Sequence, residues 1–199
     1  MKVLIACEFS GIVRDAFKKK GHDAWSCDIL ESESKGNHIK GDVLERLDEG
    51  WDLMIAHPPC THLAVSGARW FKYKQKEQLE ALDFVKKLLD APINKIALEN
   101  PVSIISSKIR KPDQIIQPYQ FGHEAQKTTC LWLKNLPQLK STKVVGKGQF
   151  TIFKSGKKHP KWYADALKLS KLDRMKKRSE TFKGIAEAMA DQWGSYETI

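Results

Sequence analysis

Residues 51–60 read WDLMIAHPPC. Trp51–Ala56 is a near-continuous apolar run, as expected of a strand buried on both faces at the centre of a parallel sheet. Two prolines end it. They stiffen the backbone and remove two amide donors, so Cys60 sits in a fixed loop at a strand end.

Working outward, short apolar runs alternate with helical patterns. Upstream, Lys2–Ala6 reads as a strand. Gly11–Lys20 reads as a helix through Ile12, Val13, Ala16 and Phe17, with Lys18–Lys20 complementing the dipole at its C-terminus and Gly21 as the stop. Asp23–Asp28 and His38–Asp42 read as further strands. Downstream, Gln75–Asp90 is an amphipathic helix through Leu79, Leu82, Phe84, Val85, Leu88 and Leu89. Lys95–Leu98 is a strand leading into Glu99, and Asp113–Gln117 and Thr129–Leu133 are two more. This alternation predicts an α/β domain with a mostly parallel sheet. Ligands bind beyond the carboxyl ends of such strands. Cys7–Gly11, Asp28, Asp42, His57–Cys60 and Glu99–Pro101 are therefore expected along one edge.

From Lys134 to Arg178 the periodicity weakens into loops, with one helix around Trp162–Leu169. Thr181–Trp193 reads as a terminal helix. The expected organisation is a single domain: a core over 1–133, a basic insert over 134–180 and a closing segment over 181–199.

The chain has 199 residues, enough for one full core. It has no run of about 18 apolar residues that would span a membrane. Its N-terminal apolar run meets Glu8 too early for a signal peptide, so a cytoplasmic location is expected. The four cysteines, Cys7, Cys27, Cys60 and Cys130, form no CxxC pair, which argues against a metal site and leaves reduced thiols. Residues 1–99 carry 15 Lys/Arg against 16 Asp/Glu, whereas residues 134–199 carry 15 against 6. A basic third beside a neutral core suggests a polyanion, most simply nucleic acid; a solvated basic face accounts for the charge equally well.

Cys60 is a candidate nucleophile, given a lowered pKa. His57 and His62 lie close by in sequence. For a lone cysteine, a small buried side chain in a turn is the commoner role. Glu99 changes that balance. A carboxyl at the edge of a dry pocket is expected to have a raised pKa and to donate a proton. A thiolate that attacks pyrimidine carbon 6 and an acid at N3 together make carbon 5 nucleophilic.

ACEFSG at Ala6–Gly11, the acid Asp28, GDV around Asp42, PPC-x5-SG from Pro58, ENP at Glu99, Phe121-Gly122 through Gln126 and Lys127, and Gly184-Ile185-Ala186 follow one another in that order. Jointly they resemble the motifs of the carbon-5 cytosine-specific DNA methyltransferases. The resemblance implies a Rossmann-like methyltransferase fold, S-adenosylmethionine as cofactor and DNA as partner. It implies catalytic roles for Cys60 and Glu99. On the cofactor side it implies the loop Ala6, Cys7, Glu8, Phe9, Ser10 and Gly11, then Asp28 and Ile29 at the ribose, Asp42 and Val43 at the adenine, and Pro58 and Ala186. On the substrate side it implies Pro59, Ser66, Asn100, Lys127 and Thr129.

The chain departs from that family in three places. Glu8 and Ser10 stand where glycines are usual, and Glu8 can itself reach the methionine amino group. Lys127-Thr128-Thr129 replaces an arginine pair. The insert between Leu133 and Gly184 is far shorter than the family's recognition domain. The expectation is short or relaxed sequence specificity, or targeting by a partner protein. Trp70, Phe71, Trp162 and Tyr163 are candidates for stacking on bases, with core packing expected for at least half. Two other functions stay open: methyl transfer to an exocyclic base nitrogen, and nucleic-acid binding without efficient catalysis.

Overall fold

The computed structural model describes residues 1–196. Residues 197–199 of the expected closing segment lie outside the described residues.

Seven strands form one sheet. They are β1 (Lys2–Ala6), β2 (Asp23–Asp28), β3 (His38–Lys40), β4 (Leu53–Ala56), β5 (Lys95–Asn100), β6 (Gln114–Ile116) and β7 (Thr129–Lys134), in the order 3-2-1-4-5-7-6. β3, β2, β1, β4 and β5 pair in parallel, and β7 runs antiparallel to both β5 and β6. This is the α/β architecture with a mostly parallel, Rossmann-like sheet that the alternation of strands and helices predicted.

The apolar runs explain the layering. In β1, Val3 and Ile5 face one side and Leu4 and Ala6 the other; in β4, Leu53 and Ile55 oppose Met54 and Ala56. All eight are fully buried. A central parallel strand is covered on both faces, so its alternation disappears into a continuous apolar run. One cover consists of α1 (Ile12–Lys19), which packs on the last helix, α6 (Lys183–Gly194), through Phe17, Ile185, Met189 and Trp193. The other is α2 (Gln75–Leu89), which buries Val85 and Leu88. The short α3 (Ile105–Lys108) follows β5.

Register brings the strand ends level. Ala6 pairs with Cys27 and with Ala56, and Ala56 pairs with Leu98. The residues that follow β1, β2, β4 and β5 therefore line one edge of the sheet. β1 and β4 are adjacent at its centre, where the strand order reverses and a crevice opens in such folds.

The basic insert holds more structure than its sequence pattern predicts. A two-stranded antiparallel ribbon, β8 (Phe150–Ile152) with β9 (Lys158–Pro160), leads into α4 (Lys161–Ala166) and α5 (Lys171–Ser179). α5 buries no residue. Its ends are fixed by Ser170, whose hydroxyl caps the Asp173 amide, and by lysines in the last turn. No helix among the described residues is long and apolar enough to cross a membrane.

Candidate active site at the carboxyl edge of the sheet

The first loop keeps a glycine-like backbone without the glycine. Cys7 leaves β1 in the left-handed region at φ 59°, and Gly11 follows at φ 73°. Glu8 is 5% exposed and turns inward. Its carboxylate accepts from the Val13 amide at 2.7 Å and the Arg14 amide at 3.2 Å, satisfying the first turn of α1. Glu8 thus has a capping role within the fold. Burial raises the Glu8 pKa; the nearby His57 and the two amides oppose the rise.

Arg14, also fully buried, braces the β1–β2 side of the edge. Its guanidinium donates to Asp15, Ser26, Ser32 and Ser34 and to the carbonyls of Ser34 and Lys35. It thereby ties α1 to β2 and to the loop after β2. That loop begins with Asp28 and Ile29. Asp28 accepts from the Leu30 amide at 2.9 Å, burial raises its pKa, and Ile29 is 74% exposed. Asp42 caps the 3-10 turn Val43–Arg46 through the Leu44 amide, while Val43 points into the core. Burial and the acids Asp28 and Asp42 push the Cys7 thiol far above its usual range.

The β4–β5 end is different. His57 Nδ1 lies 3.0 Å from Glu99 Oε2, with both side chains largely enclosed. Although burial would raise the Glu99 pKa, the hydrogen bond from His57 and the charges of Lys127 and His57 outweigh it and hold the pKa below the usual value. The raised pKa expected of Glu99 is not found: an imidazole and a lysine face this carboxylate. Asn100 donates to the Pro58 carbonyl at 2.9 Å, locking the end of β5 to the HPPC loop. Val65 donates to Val102 and Ile104 to Leu63, and Ala64 bridges Ser103, so the loop after Cys60 is stitched to the loop after β5.

Cys60 is partly exposed. Burial and the neighbouring Glu99 raise its thiol pKa, and Arg178 and Lys127 act against the rise. Lys127 is held over the site by its ammonium, which donates to the Glu180 carbonyl at 2.9 Å. Arg178, at the end of α5, sits over the Tyr163 ring at 5.3 Å. Sequence reasoning missed Arg178 because it lies within a basic run; its place beside the thiol depends on how α5 folds back. Lys176 of the same helix reaches the other end of the edge, pairing with Glu33 at 2.5 Å and lying 5.7 Å from the Phe9 ring.

Of the remaining candidates, Ser66 and Pro59 are exposed, Ala186 is buried in α6, and Ser10 donates to Glu8. Thr129 is buried and donates to the Lys127 carbonyl, which shapes the turn bearing that lysine. Trp70 is 51% exposed, and Phe71, Trp162 and Tyr163 are partly exposed, so none is a core residue. Trp162 donates to the Gln126 carbonyl and meets Tyr163 and Phe182 edge-on. Among the described residues, no group of three or more His, Cys, Asp or Glu is arranged to hold a metal ion.

No protein-family model matches this chain. No curated protein matches it either. Among solved structures, a prophage-encoded protein of E. coli described as a DNA modification methyltransferase is similar, with a TM-score of 0.41 and 16% identity. The alignment covers 67% of this chain and 46% of that one, so the chain spans less than half of the other protein's length.

Proposed function

We propose that the protein is an S-adenosylmethionine-dependent methyltransferase acting on carbon 5 of cytosine in DNA. The observation that carries this reading is the grouping of Cys60, Glu99 and Lys127 at one strand edge: Lys127 acts on both of the other groups, and Glu99 acts on the thiol.

The residues on the β1–β2 side fit the cofactor. The half-buried Asp28 carboxylate suits ribose hydroxyls, and the exposed Ile29 beside it offers an apolar surface to a purine face. The acids Glu8, Asp28 and Asp42 favour a cation there. When bound, the cofactor supplies an electrophilic methyl group on a sulfonium.

On the β4–β5 side, the Cys60 thiolate adds to carbon 6 of the base while a proton reaches N3 by way of Glu99. The electron density so raised at carbon 5 takes the methyl group. Loss of the carbon-5 proton then expels the thiolate. Lys127 and Arg178 favour the thiolate and hold nearby phosphate by charge. The target base must leave a duplex to reach this edge. The lysines of the insert grip the backbone more than they read base edges, which supports relaxed specificity or targeting by a partner protein.

The test is methyl transfer from labelled cofactor to mixed-sequence DNA, together with trapping on DNA containing 5-fluorocytosine. The wild type should form a covalent complex and Cys60→Ala should not. Full activity in Cys60→Ala would sink the covalent mechanism. One observation favours a second reading, transfer to an exocyclic amino nitrogen: the Cys60 thiol pKa is raised, and that route needs no thiolate. The methylated atom in digested DNA separates the two.

A further inference from the structure

His57 is nine-tenths buried and stands at the first position of HPPC, fixed by β4 behind it and two prolines ahead. Its Nδ1 is committed to Glu99 at 3.0 Å. Its Nε2 is buried without a hydrogen-bond partner. Two buried carboxylates neighbour it, Glu99 from β5 and Glu8 from the loop after β1. Lys127 also faces Glu99, and the Cys60 thiol is a further neighbour of that carboxylate.

This arrangement matters for the chemistry proposed above, because a Glu99 kept ionised has no proton of its own to give. We propose that His57 is a positioning residue and proton reservoir: its Nδ1–H orients the Glu99 carboxylate, and the proton that Glu99 passes to the base originates on the imidazolium. The inference rests on the methyltransferase reading.

The step balances as follows. The bond from Cys60 Sγ to carbon 6 forms as the carbon 5–carbon 6 π pair shifts to carbon 4–carbon 5. The displaced carbon 4–N3 pair moves onto N3. N3 takes a proton from Glu99, which takes one from His57 Nδ1 and leaves a neutral imidazole. After methyl transfer the carbon-5 proton is lost to solvent, the sulfur–carbon bond breaks, and the N3 proton returns by the same route. The imidazolium and the thiolate are restored. A hydrogen-bonded pair that retains one proton suits such a relay, since neither partner has to be desolvated anew.

Two readouts test this. The first is 15N NMR of the His57 ring in the full chain, without cofactor or DNA. Protonated Nδ1 is expected, with a titration that moves to lower pH in Glu99→Gln because the carboxylate no longer favours the cation. An Nε2–H tautomer with bare Nδ1, or a titration unchanged in Glu99→Gln, overturns the pairing. The second is the pH profile of kcat. His57→Asn keeps a donor near the Nδ1 position but cannot titrate. It should retain cofactor binding, lose 10- to 100-fold in kcat and lose the limb of the profile that His57 supplies. His57→Ala should fall further and be partly rescued by free imidazole. A wild-type profile and rate in His57→Asn overturn the reservoir role. Absence of methyl transfer by the wild type overturns the methyltransferase reading and proton delivery together, while NMR still decides whether His57 holds Glu99.

Discussion

Glu99 keeps its charge because of what surrounds it. An enclosed carboxylate on its own would hold a proton, but the His57 hydrogen bond and the Lys127 charge reverse that tendency. The consequence for stability has a definite sign. A carboxylate whose pKa is lower folded than unfolded stabilises the fold above its unfolded pKa, and that contribution is lost as pH falls through the folded pKa. Glu99→Gln removes it. At pH 7 the variant should be less stable than the wild type by about 2 kcal/mol, the usual worth of a hydrogen bond to a charged group. The difference should shrink as the pH falls below the carboxylate range. Urea melts at pH 7 and pH 3 check this, and a gap as large at pH 3 as at pH 7 contradicts the assignment. None of this could be read from the sequence, which puts His57 and Glu99 42 positions apart. ENP at a strand end marks Glu99 as a candidate; it says nothing of the imidazole beside it. The capping role of Glu8 was hidden for a related reason: a loop acid suggests a ligand, and the sequence does not show that the amides of Val13 and Arg14 point at it.

At the scale of elements, α5 is the outlier. It buries nothing and is fastened by Lys176 to Glu33 and Phe9, and by Lys127 reaching back to the Glu180 carbonyl just beyond its end. Exposed ion pairs contribute roughly 0–1 kcal/mol each. α1 and α6, by contrast, share a core with Phe17, Met189 and Trp193 fully buried. α5 should therefore open locally far more often than either, and its amides should exchange at least about tenfold faster. Lys176→Ala should widen that gap. Hydrogen exchange by mass spectrometry measures both, and protection in α5 equal to that in α6 counts against the picture. The same contrast explains what the sequence revealed. β1, β4 and β5 were legible because strands covered on both faces must be apolar throughout, and α2 because its stripe must face a sheet. α5 was hidden because its two apolar residues, Leu172 and Met175, are exposed and stand among six charged ones. The ribbon β8–β9 was hidden because three-residue strands give no measurable alternation. That β7 runs antiparallel was invisible too, since an apolar run does not record its direction.

Across the whole molecule, charge is unevenly spread. Glu8, Asp28 and Asp42 stand at the β1–β2 end of the edge together with Arg14 and Lys176; Lys127 and Arg178 stand at the β4–β5 end with Glu99, and the insert carries a lysine excess outward. Residues 141–164 hold six lysines and no acid. Three of them, Lys154, Lys157 and Lys158, belong to the ribbon and its turn, beside the exposed Phe150 and Ile152. A two-stranded ribbon is narrow enough to enter the major groove of a duplex, and lysines at its tip would then lie against phosphates. Under the proposed function this ribbon provides much of the grip on DNA. Each phosphate neutralised by a lysine releases condensed counterions and adds about 0.9 to the slope of log affinity against log salt. Replacing all three lysines by alanine should flatten that slope by about 2.7 for duplex DNA of mixed sequence, with little change in cofactor affinity. The loss should be similar for unrelated sequences, because phosphate contacts carry no base information. A triple variant with the wild-type slope would place the DNA elsewhere on the molecule. A loss confined to one sequence would mean that the ribbon reads bases, and the specificity expected of so small an insert would then have to be revised upward.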